Sequence, residues 1–415
     1  MSHPSTHELG DHDNSLSGGK GVRSTEPLRV SVLGATGSVG ECTLDLIGAQ
    51  PERFKVVALT ANANYARLAE LAIRHQAEFA VVAEAQVFHH LRGLLNGSRV
   101  RAGAGDAALV EAASLPADWT MAAIVGAAGL APTLAAVQQG RRVALANKEC
   151  LVTAGALFMR EVVAAGTTLL PVDSEHSAVF QAMLCTPRDA IERIVLTASG
   201  GPFRTWSHAQ LAVATPAQAL QHPNWRMGPK ISVDSATLMN KGLELIEAAH
   251  LFAFQPDRMG VVVHPQSIVH CLVECHDGAV MAHMSMPDMR VPVAYALGWP
   301  DRLATPVSRL NLAKLGQLTF EEADELRFPA LALARTAMTS GGGACTILNA
   351  ANEIAVASFL DDGIGFLDIP AVVADTLDRM GQGASLTAPE SLEEATELDF
   401  SARQTAFELL RRRAA

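Results

Sequence analysis

The chain has 415 residues, of which 49% are apolar, 18% charged and 5% aromatic. At roughly 150 residues per domain that length suits two to four domains, and the small charged share excludes a chain disordered from end to end. Against 32 Lys and Arg stand 43 Asp and Glu, a net charge of −11; with no basic cluster, neither nucleic acid nor an anionic membrane surface is an expected partner. A small anionic substrate needs only one local site and stays open.

The six cysteines, at 42, 150, 185, 271, 275 and 345, form no CxxC pair. Reduced thiols in a cytoplasm are the expectation. Residues 1–27 are rich in Ser, Gly, His and Asp and predict a disordered tail. The tail lacks the apolar core of a secretory signal, and Glu8, Asp11, Asp13 and Glu26 are unlike an organellar transit peptide. His3, His7 and His12 read as part of a solvated tail.

Order is predicted from Leu28. Apolar strands are expected at 28–33, 54–59, 79–83, 121–125, 142–145 and 167–172, with helices at about 41–49, 65–75, 84–95 and 132–139 between them. Strands apolar on both faces alternating with helices predict a doubly wound, Rossmann-like parallel sheet. The charge-free run 119–140 is long enough to span a bilayer. Gly126, Gly129 and Pro132 interrupt it, so it reads as strand, turn and helix.

After Val172 the pattern changes. Strands are expected at 194–198, 231–233, 259–263, 267–273 and 279–284, a helix at 236–252, and a long loop before Gly228 with one short helix. This predicts a central α+β region with a mixed sheet. Residues 300–328 form a polar connection, and helices follow at 330–339, 346–360, 369–380 and 391–412.

Three stretches carry chemistry. Gly34, Gly37 and Gly40 follow a strand and open a helix, which suits a dinucleotide pyrophosphate; a bare structural turn is the alternative. No acid follows the second strand at Asn62-Ala63-Asn64, which favours NADP over NAD, and Arg67 is the nearest cation. Asp173 and Glu175, read as an extended i, i+2 pair, would make a hard oxygen site for Mg²⁺ or Mn²⁺; an exposed acidic turn is the alternative. Asn240, Lys241 and Glu244 share a helical face and suit a phosphate and a metal together, or form an ordinary ion pair. Ser199-Gly200-Gly201 and Ser235 are turn residues of the phosphate-binding kind. His264, His270, Cys271, Cys275 and His276 lack zinc-finger spacing.

These segments resemble the 1-deoxy-D-xylulose 5-phosphate reductoisomerase family. The matching stretches are GATGSVG (34–40), AAIVGAAGLAPTLAA (122–136), LANKE (145–149), LLPVDSEH (169–176), SGGPF (199–203), HPNW (222–225), MGPKISVDSATLMNKGLE (227–244), HPQSIVH (264–270), PDMR (287–290) and LNAANE (348–353). The resemblance implies an NADPH-dependent enzyme of isoprenoid biosynthesis that rearranges and reduces its sugar phosphate with Mg²⁺, Mn²⁺ or Co²⁺. By it, Asp173, Glu175 and Glu244 hold the metal. Ser174, Ser199, His222, Ser235, Asn240 and Lys241 bind substrate, with Lys148, Glu175, Trp225 and Glu244 beside it, and Lys148, Glu175 and His222 are the catalytic candidates. Gly34, Thr36, Gly37, Ser38, Val39, Asn62, Ala63, Asn64, Asn147, Glu149 and Gly228 hold the cofactor. Trp225 and Met227, in a loop over about 203–228, close on the substrate.

The resemblance further implies a homodimer, an NADPH domain at 28–172, a catalytic domain at 173–299, a linker at 300–329 and a C-terminal helical domain at 330–415. Where the family often has Gly-Lys-Asn after the second strand, this chain has Asn62-Ala63-Asn64 and lacks the cation. Two rivals remain. A semialdehyde or acyl-phosphate reductase would need a nucleophile, for which only Cys150 is suggestively placed. A non-catalytic dinucleotide sensor would have no use for the acids.

Overall fold

The computed structural model describes residues 26–225, 227–381 and 386–414. The first 25 residues of the predicted tail, with His3, His7 and His12, and Arg226 of the 203–228 loop lie outside them. Seven strands form the larger sheet: β1 (Leu28–Leu33), β2 (Phe54–Ala61), β3 (Phe79–Val82), β4 (Arg101–Ala104), β5 (Trp119–Ala122), β6 (Arg142–Leu145) and β7 (Thr168–Pro171). Their order is β4-β3-β2-β1-β5-β6-β7 and every pair is parallel. The connecting helices are α1 (Ser38–Gly48), α2 (Tyr65–Arg74), α3 (Phe88–Leu94), α4 (Asp106–Ser114), α5 (Leu130–Val137) and α6 (Glu149–Ala165). Val30, Val32, Leu59, Val81 and Met121 are buried because helices cover both faces. Strand order reverses beside β1, between β2 and β5, which opens a crevice at the carboxyl ends of these strands.

The second sheet is mixed. It contains β8 (Ile191–Ala198), β9 (Met259–Val263), β10 (Val269–Cys275), β11 (Val280–Met284) and β12 (Glu321–Glu322), in the order β11-β10-β8-β9-β12, with β8 and β9 parallel. Around it run α7 (Ser174–Met183), α8 (His208–Leu211), α9 (Pro216–Ala219), α10 (Pro229–Thr237), α11 (Met239–Phe252), α12 (Arg290–Gly298) and α13 (Leu312–Leu315). The chain ends in α14 (Ala330–Ser340), α15 (Ala344–Leu360), α16 (Asp368–Gly381) and α17 (Leu392–Ala414). One apolar core runs from α5 and α6 through α11 to α15 and α16, and a second fills the β1–β3 half of the large sheet. Among the described residues no helix is long and apolar enough to cross a membrane. The charge-free run becomes β5, a turn and α5.

Several expectations need correction. Residues 231–233 lie in α10 rather than a strand. Ile-Ser-Val-Asp alternates with period two, but Pro229 at the first turn starts a helix that buries Ser232, Val233 and Asp234 alike. The helix expected at 236–252 is two helices, α10 and α11, joined at Leu238 with φ +63°. Asp173 and Glu175 are not an extended pair: Asp173 is the N-cap of α7, and Glu175 lies in its first turn. β5 starts two residues earlier than expected and ends at Ala122, level with Leu33 and Leu145, because parallel register sets its end. Strands β4 and β12 and helices α4, α6, α7, α12 and α13 had not been expected. β4 reads Arg-Ala-Gly-Ala, without a β-branched residue, and is an edge strand.

Candidate active site

A cavity of about 500 Å³ opens between the carboxyl edge of the large sheet, the N-terminal turns of α1 and α7, and the facing sides of α10, α11 and β10. Of the residues singled out from sequence, Ser38, Val39, Lys148, Asp173, Ser174, Glu175, Ser199, His222, Trp225, Met227, Ser235, Asn240, Lys241 and Glu244 line it. Gly34, Thr36, Gly37, Asn62, Ala63, Asn64, Asn147, Glu149 and Gly228 do not line it.

One wall concentrates charge. Asp173, Glu175 and Glu244 each offer a carboxylate oxygen, and all three oxygens lie within 4.8 Å of one another. Two lysines thread them. Lys241 Nζ lies 2.6 Å from Glu175 Oε1 and 2.5 Å from Glu244 Oε2. Lys148 Nζ lies 2.7 Å from Asp173 Oδ2 and 2.6 Å from Asn240 Oδ1. Burial opposes charge on Lys148, but Asp173, Glu244 and Glu247 outweigh it and hold the ammonium well above the usual lysine range. Burial and the neighbouring Glu175 push the Glu244 carboxyl up to about 7. Three hard oxygen donors from two helices fit a divalent cation, whose charge would hold all three ionised. Asn240 donates to Glu244 and so orients one of the donors.

Another wall presents neutral donors. Burial pushes His222 down to about 4, so its ring is neutral. Its Nδ1 accepts from the backbone N–H groups of Asn224, at 3.2 Å, and Trp225, at 3.0 Å. The ring proton is therefore on Nε2, which donates to Ser199 Oγ at 2.8 Å. Ser199 Oγ also accepts from Gly201 N–H at 3.1 Å. With both acceptor sites used, its O–H is left to donate into the cavity. Gly201 has φ +67°, and a Cβ there would stand 2.6 Å from the Ser235 carbonyl oxygen. Glycine thus lets the 199–201 turn seat against α10 and brings Ser199 and Ser235 to one wall.

The α1 end is built from backbone. Gly34 N–H donates to Thr60 Oγ1 at 2.9 Å, which ties the glycine turn to the end of β2. A Cβ on Gly40 would overlap the Gly34 carbonyl oxygen, so the turn closes only around glycine. Gly37 caps α1 without a side-chain bond, which leaves the first amides of the helix to an anion. Asn147 is buried and donates to the carbonyls of Ile124 and Gly126, shaping the loop beside the crevice. Glu149 is ion-paired to Lys230 at 2.7 Å.

Sequence reasoning missed other residues of the wall. Asn224 donates to Pro265 O at 2.6 Å and Ser267 Oγ at 2.9 Å, pinning HPNW to HPQS. Asp288 and Arg290, paired at 2.5 Å, line the cavity together with Cys42 and Asp45. The motifs HPQSIVH and PDMR were visible in sequence, but nothing in their spacing assigned a role. LNAANE acts at a distance: Asn352 holds Asp234 at 2.8 Å, and Asp234 holds Lys230 at 2.9 Å. Cys150 is buried in the main core, and burial pushes its thiol up, so it is no nucleophile. His264 bonds Thr319 O and His270 bonds Ser285 Oγ, and neither belongs to a metal-suited group among the described residues.

The chain is similar to known proteins. A family model described as 1-deoxy-D-xylulose 5-phosphate reductoisomerase matches residues 30–155, and its C-terminal domain model matches 169–252. A DXP reductoisomerase C-terminal domain model matches 284–405. The enzyme of that name from Rhodospirillum centenum is 56% identical over 395 residues, covering 95% of this chain and 96% of its own. The one from Rhodopseudomonas palustris is 55% identical over 381 residues, covering 92% and 94%. The solved Zymomonas mobilis reductoisomerase in complex with NADPH is 51% identical, with a TM-score of 0.86 over 93% of this chain and 99% of its own. A DOX-P reductoisomerase in complex with NADPH, fosmidomycin and magnesium is 40% identical, with a TM-score of 0.88 over 92% and 98%.

Proposed function

The chain belongs to the 1-deoxy-D-xylulose 5-phosphate reductoisomerase family, and from that premise we propose how its own residues divide the work. The enzyme rearranges 1-deoxy-D-xylulose 5-phosphate and reduces the product to 2-C-methyl-D-erythritol 4-phosphate, with NADPH and a divalent metal. The observation that carries the assignment of residues is the convergence of Asp173, Glu175 and Glu244 on the cavity that also holds Lys148, Ser199 and Ser235.

Asp173, Glu175 and Glu244 hold the metal, which when bound supplies a Lewis acid for the substrate's ketone and hydroxyl oxygens. Lys148 stays protonated and stands as a charge or proton partner at the reacting carbons. Ser199 donates its O–H to the substrate phosphate, with Ser235, Asn240 and Lys241 beside it and neutral His222 fixing the Ser199 rotor. Ser174 completes the substrate wall next to Glu175. Glycines 34, 37 and 40, with Thr36, Ser38 and Val39, seat the pyrophosphate at the start of α1. Asn62, Ala63 and Asn64 flank the adenosine end, and Asn147, Glu149 and Gly228 flank the nicotinamide end. Trp225 and Met227 close over the substrate, and closure excludes water while the cleaved fragments recombine.

The expected domain boundaries at 172, 299 and 329 are kept as part of this reading. So is a cytoplasmic location, which the absence of a CxxC pair supports. So is a homodimer, supported by β11, an edge strand on which Val280 and Met281 are exposed.

The deciding assay follows NADPH absorbance with 1-deoxy-D-xylulose 5-phosphate. Oxidation is expected with Mn²⁺ and none in EDTA. Full oxidation in EDTA would remove the metal role from the three acids.

A further inference from the structure

We propose that Arg67 is the residue that recognises the 2′-phosphate of the cofactor and so sets the preference for NADPH over NADH. This rests on the NADPH-dependent reading above and names a specificity determinant for it.

A dinucleotide lying on the α1 turn runs its adenosine ribose past the carboxyl end of β2. A 2′-phosphate there needs a cation, and Asn62, Ala63 and Asn64 carry none. The other basic residues on this half of the sheet are in the wrong places. Arg29, Lys55, Arg101 and Arg142 stand at the first or second position of their strands, at the opposite edge. Arg53, Arg99 and Arg141 immediately precede or closely approach strand starts, Arg74 ends α2, and Arg92 lies near the end of α3. Among the described residues before Lys148, only Arg67 occupies the first turn of a helix that follows a strand's carboxyl end.

Its side chain points the right way. Asn64 caps α2 by accepting from Arg67 N–H at 3.2 Å, which fixes where the arginine leaves the helix. The guanidinium then crosses to α1, placing Nε 2.7 Å from Glu41 Oε1 and a terminal nitrogen 3.2 Å from Glu41 Oε2. Glu41 lines the cavity, so the cation stands beside the anion-binding turn of α1. Glu70 takes one more N–H, at 2.7 Å. Of five guanidinium donors three are used, and two remain for a phosphate. The side chain keeps 32% of its surface exposed and is reachable. The two carboxylates hold the guanidinium in place, so its rotamer is set before the ligand arrives.

The test measures 2′,5′-ADP and 5′-ADP binding by calorimetry, and kcat/KM for NADPH and NADH, on the wild type, Arg67→Ala and Arg67→Ala with Ala63→Lys. The wild type should favour 2′,5′-ADP and NADPH. Arg67→Ala should weaken 2′,5′-ADP and raise the NADPH KM by about 10- to 100-fold, with 5′-ADP and NADH little changed. A lysine at position 63 should restore part of the preference. If Arg67→Ala keeps the wild-type preference, the assignment to Arg67 is wrong while the NADPH reading stands. If the wild type itself shows no preference, the NADPH reading fails as well.

Discussion

The two ends of the cavity are built by opposite means. At the α1 end the work falls to backbone: glycines at 34, 37 and 40, a helix start without a side-chain cap, and Thr60 pinning the turn. At the α7–α11 end it falls to side chains: three carboxylates, two ammonium groups and an amide within bonding distance of one another. Backbone sites tolerate exchange of side chains but not the addition of a Cβ. Charged sites tolerate small backbone shifts but not the loss of one partner, because a buried charge left alone costs several kcal/mol.

The sharpest break comes at the charged end. Glu244→Gln removes one of the three proposed metal donors, and turnover should fall by roughly 10³-fold or more. NADPH affinity, measured by fluorescence titration, should be unchanged. Turnover within about tenfold of wild type would move the metal elsewhere.

The corresponding break at the backbone end is Gly40→Ala. The new Cβ meets the Gly34 carbonyl oxygen, so the turn must open. Stability should drop by about 1–3 kcal/mol, as for other overpacked sites, and the NADPH KM should rise while Mn²⁺ affinity holds. A loss of Mn²⁺ affinity without a change in NADPH binding would contradict the division between the two ends.

The gentlest test titrates the support beneath the acids. His176 is buried with its Nδ1 3.0 Å from Glu247, and its Nε2 meets the Glu244 carbonyl at 2.9 Å. Burial disfavours its charge, but Glu247 and Asp173 outweigh burial and lift it to about 9, from 6.5 in a free chain. The folded state therefore binds this proton more tightly than the unfolded chain. The stability it contributes is complete below about 6.5 and is lost as pH rises toward about 9. His222 has the opposite sign: burial lowers it to about 4, so stability is lost as pH falls from 6.5 through that value. Urea midpoints of EDTA-treated protein should decline on the alkaline side, and His176→Gln should flatten that decline. A wild-type midpoint constant from neutrality to about pH 9 would remove the Glu247 pairing.

The same contrast governs what could be read without coordinates. β1, β6 and β9 match their expected limits because continuous apolar strands bounded by turns carry a local signal. The glycine turn was legible for the same reason. Asp173, Glu175 and Glu244 were also singled out, but the extended geometry expected for the first two was wrong: Asp173 caps a helix. Their convergence depends on where α7 and α11 cross, which no local pattern encodes. α10 was misread because a short Ile-Ser-Val-Asp alternation outweighed the proline before it. His176, Glu247 and Asn352 went unrecognised for a similar reason. Each acts through a partner far away in sequence, such as Asn352 on Asp234.

One backbone joint has a consequence for substrate length. Leu238 is a non-glycine residue with φ +63°, 3% exposed, and it serves both as the end of α10 and the start of α11. Ser235 stands three residues before it and Asn240 two after, with Lys241 next. On the proposed assignments, this elbow works as a caliper: one jaw carries the phosphate-binding Ser235 and the other carries Glu244, the proposed metal donor on α11. Its opening is set by a single buried dihedral pair rather than by a flexible loop. Sugar phosphates a carbon longer or shorter would thus be refused by the span between the jaws, before any group on them is asked to discriminate.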